Sequence, residues 1–343
     1  MWMATLKDVA RAAGVSLTTA SYALNGKGAI SESTRRRVQE TARRLGYRRP
    51  LRSTGAIVAI VAYPGASCVR SLRQAAAEYG YELQEFTWSR NSSEAPDLVA
   101  TFGKVAGVVV HGGLWRREFL RAVAEAHPTV LLGGSLPTVP SDTIWIDSAG
   151  SVYSAVNYLY SLGHRRFGLV NGPEGSPVSW DKSLGFARAL KDFSEDCSGI
   201  GISTLDFSPG EGERVAKEIW ERDPAVTAMI AGDPVYVDGI MAEARRRGLS
   251  IPHDVSVVAL GDAPLLSLMK PSVSAIPVPE LDIAREAIAH LLRRIERPTS
   301  PRRRILIQSA MIHRESVSSP APRSQGRWWE SPFPCQPDEV YNN

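Results

Sequence analysis

The side chains with the clearest chemical purpose lie near the start of the chain. Ser16, Leu17, Thr18, Thr19, Ser21, Tyr22 and Asn25 fall within ten residues that mix hydroxyl, amide, phenol and apolar groups. Wound as a helix, this stretch turns Leu17, Thr18 and Tyr22 outwards. There a hydroxyl or a ring can meet base edges and thymine methyls in a major groove. Ser16, Thr19, Ser21, Asn25 and Arg35 suit phosphate oxygens or local backbone capping, and for Ser16 both roles stay open. Residues 1–53 hold eleven Lys or Arg against three acids, a net +8, whereas the whole chain is +4. Basic charge gathered in one short segment is the electrostatic footprint of a phosphate binder. A plain helical bundle with a solvated basic face would carry the same charge, but not the same order of caps and turns.

The elements that must position these groups are legible. Thr5 can cap a first helix, with Asp8 in its first turn at the positive end of the helix dipole. Leu6, Val9, Ala10 and Ala13 recur at helical spacing and give one apolar stripe. Gly14 permits the positive φ of a sharp turn, and Ser16 caps the second helix. Ser31 caps a third, basic helix over 32–45, whose inner face is Val38, Thr41, Ala42 and Leu45. Two short helices and a tight turn form a helix-turn-helix, in which the start of the second helix meets base edges. The expectation is an all-α helix-turn-helix head over 1–48 and a sequence-specific transcription regulator.

The rest of the chain alternates strand-like and helix-like runs from Ile57 onward. Strands are predicted at 57–63, 107–110, 129–132, 166–170, 228–231 and 255–260. Helices are predicted near 69–79, 116–126, 153–162, 182–193, 212–221 and 236–247. Such alternation implies parallel sheets covered on both faces. The chain carries no Gly-x-Ser-x-Gly elbow, no Gly-Lys-Ser/Thr phosphate loop and no metal-spaced His/Cys cluster, so an enzyme is not expected. Asp142, Asp147 and Asp181 read as helix-dipole or surface residues, and His164 as structural. Cys68, Cys197 and Cys335 are scattered and odd in number, which suggests neither a disulfide framework nor a zinc site. With no cofactor, signal peptide or bilayer-length apolar run expected, the reading is a cytoplasmic protein with no membrane partner. The Pro- and Ser-rich segment 318–343 is expected to be a disordered tail.

At the residues Thr5-Leu6-Lys7-Asp8-Val9-Ala10, Ala13-Gly14-Val15-Ser16, Thr19, Ser21, Leu24-Asn25, Thr34-Arg35 and Leu45-Gly46-Tyr47, the chain resembles the LacI/GalR family of bacterial transcription regulators. Segments 161–170, 248–258 and 313–316 resemble further stretches of that family. The resemblance covers about 4–317. It implies a periplasmic-binding-protein-like α/β body over 57–317, made of two parallel-sheet lobes: about 57–146 with 277–300, and about 147–276 with 301–317. It implies a homodimer on a near-palindromic double-stranded operator, repression, and a small-molecule effector of unidentified chemistry in a cleft between the lobes. It matches Leu17, Thr18 and Tyr22 to the family's base readers and adds Thr5 to the DNA-contacting set. Tyr22 stands where the family usually has Arg, so a shifted base preference is expected. A solute-binding protein is the rival reading, and the basic head argues against it.

Two departures from the family bear on mechanism. The linker 49–56 is short by roughly two helical turns. Either Pro50 starts one turn of helix with Leu51 as a minor-groove wedge, or no hinge helix forms. Arg48, Arg49 and Arg52 contact phosphates in both cases. In the cleft, glycines stand at 133, 232 and 261 where the family carries polar residues, and Lys182 stands for Arg. The loop 64–67 looks truncated. The cleft candidates are His111, Trp115, Trp180, Lys182, Asp233 and Asp262. They would take a ligand other than a common sugar, or none, in which case the regulator acts without an effector.

Overall fold

The computed structural model describes residues 6–25, 30–45, 56–61, 67–88, 96–111, 115–133, 139–193 and 197–320. In chain order the head holds α1 (Leu6–Ala12), α2 (Leu17–Asn25) and α3 (Glu32–Arg44). There follow β1 (Ala56–Val61), α4 (Ser67–Glu78), β2 (Leu83–Thr87), α5 (Leu98–Phe102), β3 (Val105–His111), α6 (Arg117–Ala126), β4 (Thr129–Leu132) and β5 (Asp142–Ile146). Next come α7 (Ser148–Ser161), β6 (Arg166–Asn171), α8 (Pro177–Asp192), β7 (Ser198–Ser203), α9 (Pro209–Arg222), β8 (Ala228–Ala231), α10 (Val237–Arg246) and β9 (Ser256–Leu260). The last are α11 (Pro264–Leu268), β10 (Ser274–Ile276), α12 (Glu280–Glu296) and β11 (Arg304–Ile307). The described residues divide into two units, those within 1–145 and 279–307, and those within 146–278 and 308–320.

The head folds as its caps and turn require. Gly14 has φ +64°, and the turn is closed by Val15 N–H donating to Ala10 O at 3.0 Å. Ser16 Oγ accepts from Thr19 N–H at 3.0 Å, and Ser31 Oγ accepts from Thr34 N–H at 3.3 Å. Val9, Ala10, Ala13, Ala20, Ala23, Val38 and Ala42 are buried together. Alanines at the helix contacts let three short helices approach closely around the larger Val9 and Val38. The reading of Thr5 as a cap lies outside the described residues.

In the first unit, six strands form one sheet in the order β11-β5-β4-β3-β1-β2. The pairs β1–β2, β1–β3, β3–β4 and β4–β5 are parallel. The central strands are nearly wholly buried, which is why they read as continuous Val/Ile runs. In the second unit, five parallel strands run β10-β9-β8-β6-β7. Its core includes Trp220, Tyr236 and Ile240 on one side and Val152, Phe167 and Phe186 on the other.

Two expectations need correction. Residues 304–307 belong to the first unit's sheet rather than the second lobe, because β11 pairs beside β5. Asp142 is fully buried rather than a surface residue. Its two carboxylate oxygens each accept from Arg294 Nη2 at 3.0 Å, and Oδ1 also accepts from Arg303 N–H at 2.6 Å. Arg294 Nη1 donates onward to Pro298 O (2.9 Å) and Ser300 O (2.6 Å). One buried pair thus fastens the end of α12, the turn 298–303 and the start of β5. Asp147 keeps its helix role, capping α7 through Gly150 N–H at 2.8 Å.

The start of the tail segment also needs correction. Ser318 is built into the second unit: its carbonyl accepts from Ser256 Oγ at 3.1 Å, and its N–H donates back to Ser256 Oγ at 3.1 Å. Residues 321–343 lie outside the described residues. His164 is structural, with ring nitrogens 2.9 Å from Thr227 Oγ1, 3.0 Å from Ser256 Oγ and 2.9 Å from Ser318 O.

Removing one partner of a buried, hydrogen-bonded pair strands the other charge. Asp142→Ala is expected to lower stability by about 3–5 kcal/mol, read from urea unfolding by circular dichroism. The double variant Asp142→Ala/Arg294→Met should recover part of that loss, and equal losses in both would contradict the pairing.

Candidate DNA interface and ligand-binding groups

On α2, Ala20 and Ala23 face the head's core and are 0% and 1% exposed. The opposite face carries Leu17, Thr18, Ser21 and Tyr22 at i, i+1, i+4 and i+5, neighbours on a helix of 3.6 residues per turn. Leu17 is 52% exposed and Tyr22 45%. An apolar side chain and a phenol turned to water on an otherwise well-packed miniature domain form a surface fitted to a partner. Ser16 Oγ lies 2.8 Å from Thr19 Oγ1 in addition to its capping bond, so the capping role of Ser16 is realised. On α3, Arg36 and Arg37 are exposed. Arg35 is half-buried, and its Nε is shut off from solvent with no hydrogen-bond partner among the described residues. Thr5, Arg48, Arg49, Leu51 and Arg52, and the side chain of Asn25, lie outside the described residues.

In the second unit, the C-terminal ends of β6, β8 and β9 bring together Asn171, Gly232-Asp233 and Gly261-Asp262, the side of a parallel sheet where ligands commonly bind. Lys182, from α8, donates to Gly232 O. Burial pulls its ammonium below the ordinary lysine value, with Asp233 opposing. Asp233 caps the short turn Pro234–Tyr236 through Val235 N–H at 3.0 Å. Burial pushes its carboxyl up, while that N–H and Lys182 pull it down. Lys182 and Asp233 therefore stand at the same strand ends and act on each other electrostatically. Asp262 is committed elsewhere: Arg314 holds it through two bonds of 2.9 and 2.8 Å. Trp180 stands 66% exposed on α8.

The glycines at 232 and 261 are backbone requirements as well as missing polar groups. A Cβ at Gly232 would lie 2.7 Å from Val170 O, and a backbone oxygen cannot give way cheaply. Gly261 has φ +92°, and a Cβ there would lie 3.0 Å from the Pro234 ring. Asn171 was missed by sequence reasoning. It is buried, donates to Ser179 O and Ser183 Oγ at 2.9 Å each, and accepts from Gly172 N–H at 2.8 Å. Its position directly after a buried strand was the available signal.

In the first unit, Trp115 is not a ligand-facing residue. It is 5% exposed, stacks on Phe119 at 4.8 Å and donates through Nε1 to His111 O at 3.0 Å. His111 ends β3, half-buried, with its ring 5.7 Å from Trp145. Burial pushes its imidazole down to about 4. The Trp145 indole N–H beside it is buried without a partner among the described residues, a second feature that sequence reasoning passed over. No described group of three or more His, Cys, Asp or Glu is placed to hold a metal ion, and no described helix is long and apolar enough to cross a membrane.

Comparison with known proteins matches a domain profile to the head and another to the body. Residues 5–50 match the profile of bacterial regulatory proteins of the lacI family, and residues 156–317 match a periplasmic binding protein-like domain. An HTH-type transcriptional regulator in the aml 5′ region of Streptomyces limosus is 31% identical over 338 residues, covering 92% of this chain and 95% of that protein. The HTH-type transcriptional repressor CytR of Escherichia coli is 29% identical over 310 residues, covering 85% and 90%. Among solved structures, the complex of the transcriptional regulator CelR with cellobiose superposes with a TM-score of 0.64 at 25% identity, covering 91% of this chain and 99% of that one. These relatives are transcriptional regulators rather than enzymes.

The buried imidazole makes stability depend on pH. In the unfolded chain it titrates near 6.5, in the folded chain at about 4. Between those values the unfolded chain binds the proton and the folded chain does not. The contribution is therefore complete above about pH 6.5 and is lost as pH falls towards about 4. The urea midpoint of the unaltered chain should fall more steeply over this window than that of His111→Gln. Parallel slopes would show that His111 is free to protonate in the fold.

Proposed function

The chain belongs to the LacI family of bacterial regulatory proteins, and we propose that it represses transcription as a homodimer on a near-palindromic operator. The observation that carries this reading is the exposed face of α2. Leu17, Thr18 and Tyr22 face outward on a helix whose other face is fixed in the head's core, so the helix can be seated in a major groove without rearrangement. One head makes few base contacts, and two heads on related half-sites multiply them. Ser16, Thr19, Ser21 and Arg35, with Thr5, Asn25, Arg48, Arg49 and Arg52, serve the phosphates, and Leu51 is the candidate wedge in the minor groove. A small molecule held at the second unit's strand ends by Lys182 and Asp233 controls operator binding. The sugar in the CelR complex supports a carbohydrate-like effector.

One observation favours a second reading, in which no effector acts. The polar groups that would hold sugar hydroxyls are already engaged: Lys182 on Gly232 O, Asp262 on Arg314 and Asn171 on Ser179 and Ser183. A site whose donors and acceptors are internally satisfied gains little from a polyol.

Thermal unfolding against a panel of mono- and disaccharides separates the two. A ligand present at about a hundred times its Kd stabilises by about 2.7 kcal/mol and should also release operator in a gel shift. A flat response across the panel supports the effector-free reading. For the head, Tyr22→Ala is expected to cost about 1–3 kcal/mol of operator affinity and to relax preference at one base pair per half-site, read by binding-site selection. Unchanged selection would remove Tyr22 from the base readers.

A further inference from the structure

The N-terminal ends of the first unit's strands share one edge, and the chain from the head arrives there at Ala56. Backbone bonds show what lines this edge. Ala56 N–H donates to Lys104 O at 2.9 Å, Ile57 N–H to Glu82 O at 2.9 Å, Val108 N–H to Pro128 O at 2.8 Å and Thr143 N–H to Arg303 O at 2.9 Å. The strand order places β11 four strands from β1, about 19 Å along the edge at about 4.8 Å per strand.

At that position the sequence Arg297-Pro298-Thr299-Ser300-Pro301-Arg302-Arg303 forms a turn with Arg297, Arg302 and Arg303 exposed. Its backbone is pinned from beneath. Arg294 donates to Pro298 O and Ser300 O, Arg293 donates to Pro301 O at 3.0 Å, and Asp142 accepts from Arg303 N–H. Buried charge thus holds the turn while three guanidinium groups reach water. The nearest acid in sequence is Glu296, also exposed. The turn is therefore preformed, and an anion binding there would not have to order it.

A polyanion bound by the head would be tethered close by. Residues 46–55 join the head to β1, and ten residues span at most about 35 Å, the length of about ten base pairs at about 3.4 Å each. Duplex bound by the head is held near this edge at high effective concentration. Guanidinium forks match phosphate oxygens.

We propose that the turn 297–303 is a second, sequence-independent DNA contact, binding backbone phosphates of duplex that flanks the site read by α2. This rests on the DNA-binding reading above. It assigns part of the affinity to the body of the protein and makes that part insensitive to base sequence.

The test is the salt dependence of operator affinity in full-length protein, comparing the unaltered chain with Arg297→Ala/Arg302→Ala/Arg303→Ala on a long duplex. Each phosphate contact contributes about 0.9 to the slope of log affinity against log salt. The variant's slope should be shallower by about 2–3 per protomer, and its deficit should shrink roughly 16- to 64-fold per protomer between about 50 and about 200 mM salt. The loss should be the same on operator and unrelated DNA, thermal stability should be unchanged, and the triple Arg→Lys variant should restore most of the slope. An unchanged slope with unaltered folding overturns the proposal while leaving the head's role intact. Failure of the unaltered chain to bind any DNA overturns both.

Discussion

The buried pair of Asp142 and Arg294 is the constraint on which the first unit depends. A carboxylate and a guanidinium removed from water must be fully hydrogen-bonded or they destabilise the fold. Asp142 therefore recruits the Arg303 N–H, and Arg294 recruits three carbonyls of the turn after α12. That set of bonds fixes where β11 begins, and β11 completes the six-stranded sheet beside β5. A chain that leaves the first unit at β5 and returns for α12 needs such a fastening, because the two segments lie more than a hundred residues apart. The carboxylate sits at residue 142 and its guanidinium at 294, so the pair closes a long loop whose ordering is costly in entropy.

The head solves a different problem. Three helices this short cannot stand alone in water, and their stability comes from mutual burial of small side chains around Val9 and Val38. Because α2 donates only Ala20 and Ala23 fully to that core, most of its surface is left over for a partner. Stability and recognition are thus divided between opposite faces of one helix. Leu17 and Tyr22 can vary with the operator without disturbing the fold.

What was legible in the sequence follows the same physics. The caps at Ser16 and Ser31 and the turn at Gly14 are local signals, and the structure repeats them bond for bond. The buried central strands β1, β3, β6, β8 and β9 are apolar runs, and they stand close to where the runs lie. The edge strands were silent: β2 reads Leu-Gln-Glu-Phe-Thr, with two polar residues side by side, and β7 reads Ser-Gly-Ile-Gly-Ile-Ser, too rich in glycine and serine to resemble a buried strand. The partnership of Asp142 with Arg294 could not be read either, since nothing local distinguishes a buried aspartate from a surface one. Among the candidate ligand groups, Trp115 looked available only because an indole beside a strand end suits both a pocket and a core. Its stacking on Phe119 decides for the core. Lys182 and Asp233 were nominated by position and stand at the same strand ends, while the engagement of Asp262 with Arg314 depended on a segment some fifty residues away.

The glycine at 261 and the proline at 234 have a consequence for how this protein can change. Each accommodates the other: the ring of Pro234 fills the space that a side chain at 261 would need, and the positive φ at 261 keeps that side chain out. A polar residue at 261 is therefore reachable only after 234 has been exchanged and the backbone has relaxed. A change at 261 made first meets both the proline ring and an unfavourable φ; a change at 234 made first removes the ring and leaves the φ to relax. The path to a different binding specificity in this unit has a fixed sequence of steps, and its first step lies at a residue with no polar side chain to offer.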